Sequence, residues 1–169
     1  MEEISERDSR RTGIKESGVV QKNPFYAQGL RFSCIRCSSC CRHESGFVFL
    51  TEKDAFLLGE ALKMGYNEFT EAFCRWIPSI NRKEQLSLKE KSNFDCIFWV
   101  QGEGCSVYEA RPLQCRAFPF WLSVAKTRES WKMTAESCPG MDKGILHSRD
   151  SIEKWLALQQ CEPIIFRSI

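Results

Sequence analysis

Large hydrophobic residues become frequent only from Pro24-Phe25-Tyr26 onward. Residues 1–23 mix charges with few bulky apolar side chains, a composition that predicts a flexible arm ahead of a folded domain over 24–169. Within the domain, Gly46-Phe47-Val48-Phe49-Leu50 reads as a buried strand or extended segment. Thr51-Glu52-Lys53-Asp54 then has the form of a capping box. Ala55, Leu58, Ala61 and Leu62 recur at three- and four-residue steps behind it. These features predict an amphipathic helix that stops at Gly65. Asn67 is placed to cap a second helix running through Phe69, Ala72, Phe73 and Trp76 to the breaker Pro78. Cys74 would be a buried small hydrophobe on that helix.

From Gln85 the period shortens. Leu86-Ser87-Leu88-Lys89 alternates, and Cys96-Ile97-Phe98-Trp99-Val100 alternates in part. The turn Gln101-Gly102-Glu103-Gly104 then leads into Cys105-Ser106-Val107-Tyr108, which predicts a hairpin with a cysteine on each arm. Ala110 to Cys115 reads as a short helical turn with Pro112 near its start. Leu122–Lys126 and Ser130–Thr134 read as a second hairpin, closed by Cys138-Pro139-Gly140. A terminal helix is predicted from Ser151 through Trp155 and Leu156, with Cys161 structural or free near its end. The expected fold is α+β: one small domain with helices between two cysteine sets, short antiparallel hairpins and a C-terminal helix.

Composition changes this picture in one respect. The 169 residues include ten cysteines, twelve Phe and five Trp, with a formal charge of +2. That near balance gives no support for a general nucleic-acid binder. No stretch approaches the roughly 20 apolar residues of a membrane span. The polar N-terminus lacks the apolar core of a secretory signal, so the expected location is cytoplasmic. Thiols stay reduced there, and ten cysteines point to metal rather than to a disulfide framework.

The cysteines have a pattern. Cys34, Cys37, Cys40 and Cys41 read C-x2-C-x2-C-C. Repeated C-x2-C steps turn the backbone so that successive sulfurs face one point. Cys41 directly follows Cys40, and adjacent side chains in extended backbone point apart. The pair can therefore serve two centres. A second set, Cys96, Cys105, Cys115 and Cys138, is scattered, but its settings carry information. Cys96 and Cys105 flank a glycine-containing turn, Cys115 lies in Arg-Pro-Leu-Gln-Cys-Arg, and Cys138 precedes a proline. Arg36, Arg42, Arg111 and Arg116 stand close in sequence to these cysteines and could offset thiolate charge. His43 and His147 are the only histidines, and no Ser-His-Asp or Cys-His constellation can be assembled. Asp54 and Glu44 read as capping and solvated residues.

The order of these features resembles the YkgJ-type cysteine-cluster family, the CxxCxxCC domain proposed to chelate zinc or iron. The resemblance runs from Cys34 to Gly140 through Leu50-Thr51-x-x-Asp54, Gly104-Cys105-x-Val107-Tyr108 and Arg111-Pro112-x-x-Cys115-Arg116-x-Phe118-Pro119-Phe120. It implies a metal site built from Cys34, Cys37, Cys40, Cys41, Cys96, Cys105, Cys115 and Cys138. One grouping joins Cys34, Cys37 and Cys40 to one remote cysteine and Cys41 to the other three. The other grouping makes a single four-cysteine centre. Iron–sulfur is the favoured cofactor, with zinc close behind. The implied role is electron transfer or a redox or protein-modification accessory. The alternatives are an enzyme similar to flagellin lysine N-methylases, or a structural zinc domain that meets a protein partner. The chain shows neither a Gly-rich nucleotide loop nor the C-x3-C-x2-C spacing of radical S-adenosylmethionine enzymes.

Overall fold

The computed structural model describes residues 23–169; the arm expected over 1–23 lies outside the described residues except for Asn23. Two hydrophobic clusters organise the elements. The first gathers Leu50, Leu58, Phe69, Leu86, Phe98 and Ile165 with their neighbours. The second gathers Tyr26, Phe120, Trp131, Met141 and Ile152. Each fully buried Phe, Leu or Ile contributes about 1.5–3 kcal/mol relative to an exposed one.

Helix α1 spans Glu52–Leu62 and begins with the predicted capping box, in which Thr51 and Asp54 bond each other's backbone N–H. It ends at Leu62 with Lys63 in the left-handed region. Gly65 is thus not its stop but the N-cap of α2, Tyr66–Phe73.

The predicted second helix is too long. From Cys74 the chain is strand β2, Cys74–Ser79, paired antiparallel with β3, Lys83–Leu88, in unbroken register from Cys74↔Leu88 to Ser79↔Lys83. Pairing places Cys74 and Trp76 opposite Leu88 and Leu86, against the first cluster. Pro78 is tolerated because β2 is an edge of the three-stranded sheet β2-β3-β7, in which β7 is Phe166–Ser168. The segment Gly46–Leu50 is extended as expected, but only Phe49 forms a β-bridge, to Ser87. Leu50 closes the gap between sheet and C-terminus: its N–H reaches Leu86 carbonyl at 3.1 Å, and its carbonyl accepts from Ile165 at 2.9 Å.

The predicted turn at Gln101–Gly104 closes a very short hairpin, β4 (Trp99–Val100) with β5 (Gly104–Cys105), in which Trp99 faces Cys105. Cys105 lies on its arm, whereas Cys96 lies three residues before β4. Helix α3, Leu113–Ala117, starts after Pro112. The second predicted hairpin does not exist. Residues Arg128–Ser137 form helix α4, with the Thr127 side chain accepting from Ser130 N–H. Trp131, Ala135 and Cys138 meet the second cluster at helical spacing. Strand β6, Met141–His147, pairs with β1, Leu30–Phe32, and α5 covers Arg149–Cys161, two residues earlier than predicted. The fold is α+β, with five α-helices and three small antiparallel sheets among the described residues. Among the described residues no helix is long and apolar enough to cross a membrane.

Candidate metal centre

The cysteine run is strung between the two clusters. Its start follows β1. Ser33 N–H donates to Gly140 carbonyl at 3.2 Å, and Met141 N–H donates to Cys138 carbonyl at 3.1 Å. Cys34 and Cys138 therefore leave the same end of the β1–β6 pair. The approach is close enough to require glycine: a Cβ on Gly140 would stand 2.4 Å from Ser33 carbonyl oxygen. The end of the run is fixed elsewhere. Cys41 carbonyl accepts from Cys96 N–H at 2.8 Å, which ties it to the segment leading into the β4–β5 hairpin.

Between these anchors the backbone doubles back. Arg36 and Ser38 both adopt left-handed φ, 57° and 65°, and Ser39–Cys41 forms one 3-10 turn. Non-glycine residues pay for that conformation, so it persists only where neighbours hold it. Here Cys41 N–H and Cys41 Sγ both donate to Ser38 carbonyl, at 3.0 and 3.2 Å.

The second cysteine set meets the end of the run. The two adjacent thiols act on each other: Cys41 brings the Cys40 thiol down to about 7, and Cys40 raises that of Cys41. Burial and the charges of Cys40, Cys96 and Cys105 push Cys41 further up. Burial raises Cys96 and Cys105, and raises Cys115 strongly; each also feels the charge of sulfurs in this same group. Burial raises Cys138 too, and its charged neighbours are Cys37 and Cys40. Backbone N–H groups of Phe98, Val107, Gly140 and Met141 point at the sulfurs of Cys96, Cys105 and Cys138. Cys34, Cys37 and Cys40 are exposed.

Packing several buried thiolates together is unfavourable unless a cation offsets their charge. All-sulfur donors select soft metals, namely zinc or iron in clusters, over magnesium or calcium. By donor chemistry the cysteines fit such a group. Among the described residues, however, no group of three or more Cys, His, Asp or Glu side chains already stands in an arrangement that could hold a metal ion.

The four arginines divide. Arg42 is spent elsewhere: its Nε lies 3.1 Å from Asp95 Oδ1 and its guanidinium covers the Trp99 ring at 3.6 Å. Arg116 bonds Arg111 carbonyl at 2.9 Å and stands 3.6 Å from Asp54. Arg111 is the one whose positive charge reaches Cys40, Cys105 and Cys115. It is held over the Tyr108 ring at 3.4 Å, with Arg36 over the same ring at 4.0 Å.

The remaining candidates have other surroundings. Cys74 is buried in the first cluster, with its thiol pushed up to about 12 by burial. Cys161 is exposed at the end of α5. His43 is exposed. His147 packs beside Phe120 and bonds Phe32 carbonyl at 3.1 Å.

Asp54 does more than cap. It is 1% exposed. Oδ2 accepts from the Thr51 backbone and hydroxyl, at 3.1 and 2.9 Å, while Oδ1 accepts from Leu113 N–H at 2.8 Å. One carboxylate thus closes the starts of both α1 and α3, and α3 carries Cys115. Gln114 adds a strap across the same joint: its Oε1 accepts from Phe49 N–H at 3.0 Å and its Nε2 donates to Phe47 carbonyl at 2.8 Å. Glu90 does the same behind the run, accepting from Ser45 hydroxyl at 2.8 Å and Gly46 N–H at 3.1 Å.

The chain belongs to the CxxCxxCC family, a domain proposed to chelate zinc or iron; the family model matches residues 33–139, most of the chain, including the span from Cys34 to Cys138. It is also 29% identical over 119 residues to an uncharacterized protein of Methanocaldococcus jannaschii. That match covers 69% of this chain and spans 60% of the relative's length. No solved structure matches the chain.

Proposed function

We propose that this metal-binding chain holds an iron–sulfur centre on its clustered cysteines and serves electron transfer, or acts as a redox accessory to protein modification. The observation that carries the reading is the meeting of the two cysteine sets: Cys96 N–H donates to Cys41 carbonyl at 2.8 Å, with Cys40, Cys105, Cys115 and Arg111 within charge range. A bound cluster would supply one-electron chemistry. The chain's own residues do the rest. The cysteines hold the group. The N–H groups of Phe98, Val107, Gly140 and Met141 and the Arg111 guanidinium spread its negative charge, the means by which proteins raise a cluster's potential. Phe98 and Val107, buried in the first cluster, limit water on one side.

A second reading, zinc as a structural cross-link, is favoured by the anchoring of the run at both clusters. Anaerobic purification followed by iron, sulfide and zinc analysis separates the two. The first reading expects a brown protein with iron and acid-labile sulfide in equal amounts. A colourless protein carrying zinc without sulfide rejects it in favour of the second.

A further inference from the structure

We infer that the eight cysteines divide into two centres of unequal exposure: an outer one on Cys34, Cys37, Cys40 and Cys138, and an inner one on Cys41, Cys96, Cys105 and Cys115. The outer centre exchanges its metal readily, and the inner one retains its metal and braces the fold. The division rests on the reading of the chain as a thiolate metal binder, and it assigns each ligand to a place in the fold.

The two ends of the run have different backbone partners. Ser33, next to Cys34, is bonded to Gly140 of the Cys138-Pro139-Gly140 turn, beside the second cluster. Cys41 is bonded to Cys96, and Cys96 and Cys105 both pack on the first cluster. Cys115 lies on α3, which Asp54 fastens to α1 of that same cluster. Charge neighbourhoods follow the same line except at Cys40: Cys138 feels Cys37, and Cys41 and Cys115 feel Cys96 and Cys105, whereas Cys40 is felt on both sides. Cys40 stands at the boundary, next to Cys41 in the chain and within charge range of both Cys138 and the inner cysteines. Its exposure matches that of Cys34 and Cys37, and its C-x2-C step from Cys37 continues theirs. Adjacent Cys40 and Cys41 would thus send their sulfurs to different centres.

Exposure then sets behaviour. Three of the four outer cysteines are exposed, and all four inner ones are partly buried. A chelator reaches the outer set directly, but must disturb packing around Phe98 and Val107 to strip the inner set.

The test uses the full 169-residue chain, reduced and metal-free, titrated anaerobically with zinc(II) alone. Zinc release to excess chelator is then timed. Two zinc ions per chain are expected, released in a fast and a slow phase. Cys37→Ser should remove one zinc and the fast phase while leaving the unfolding midpoint of the zinc-loaded chain nearly unchanged. Cys105→Ser should remove the slow phase and lower that midpoint. Should Cys105→Ser not fold, Cys37→Ser decides alone: one slowly released zinc supports the division, and loss of both zinc ions overturns it. A single zinc per wild-type chain also overturns the division while leaving metal binding intact. No zinc bound at all would overturn the metal-binding reading as well.

Discussion

Cys115→Ala should lose bound metal and lower the thermal unfolding midpoint by on the order of 10 °C. Cys115 comes from α3 and lies within charge range of Cys96, Cys105 and Cys40 on three other segments. A metal there joins parts of the chain that are far apart in sequence, so its binding energy becomes folding energy. A net loss of about 3 kcal/mol corresponds to that midpoint shift in a chain of this length. Cys161→Ser is the matched control. Its thiol is exposed on α5, so metal content should hold and stability should stay within about 0.5 kcal/mol. Metal analysis and calorimetry on both variants check the pair. Full metal content in Cys115→Ala would remove that residue from the site.

Asp54→Ala should destabilise the chain by about 3 kcal/mol, although Asp54 ligates nothing. Its loss leaves the Thr51 and Leu113 N–H groups without their acceptor in a buried place and frees Arg116 from its partner. Asp54→Asn keeps one carbonyl oxygen and should cost roughly 1–2 kcal/mol. Urea unfolding of the metal-free chains measures both. An alanine variant as stable as wild type would show that the joint between α1 and α3 is not held by this carboxylate. Metal retention should fall in parallel, because α3 loosens with Cys115 on it.

The legible and illegible parts of this molecule separate by distance along the chain. The Thr51–Asp54 capping box is local and was readable; the bond from Asp54 to Leu113, 59 residues away, was not. Arg42 was visible beside Cys41, but its engagement by Asp95, 53 residues on, was not. Helical spacing from Phe69 through Phe73 continues to Trp76, so nothing local marks the change to strand at Cys74. Pairing with Leu86 and Leu88 decides it. Trp131 and Met133 look like alternate strand positions. In α4 they fall on different faces, Trp131 2% exposed and Met133 71% exposed. The cysteine spacing pointed to metal chemistry, and the family match bears out a zinc- or iron-chelating domain. Which remote cysteine meets which end of the run depends on the β1–β6 pairing and the Cys41–Cys96 bond, both long-range.

The most direct test of the central claim is X-ray absorption at the edge of whichever metal the anaerobically purified chain carries. Convergence of the two cysteine sets predicts a nearest shell made of sulfur alone, at about 2.3 Å. A shell of nitrogen or oxygen atoms at about 2.0–2.2 Å would contradict it, because no combination of the eight cysteines can supply one.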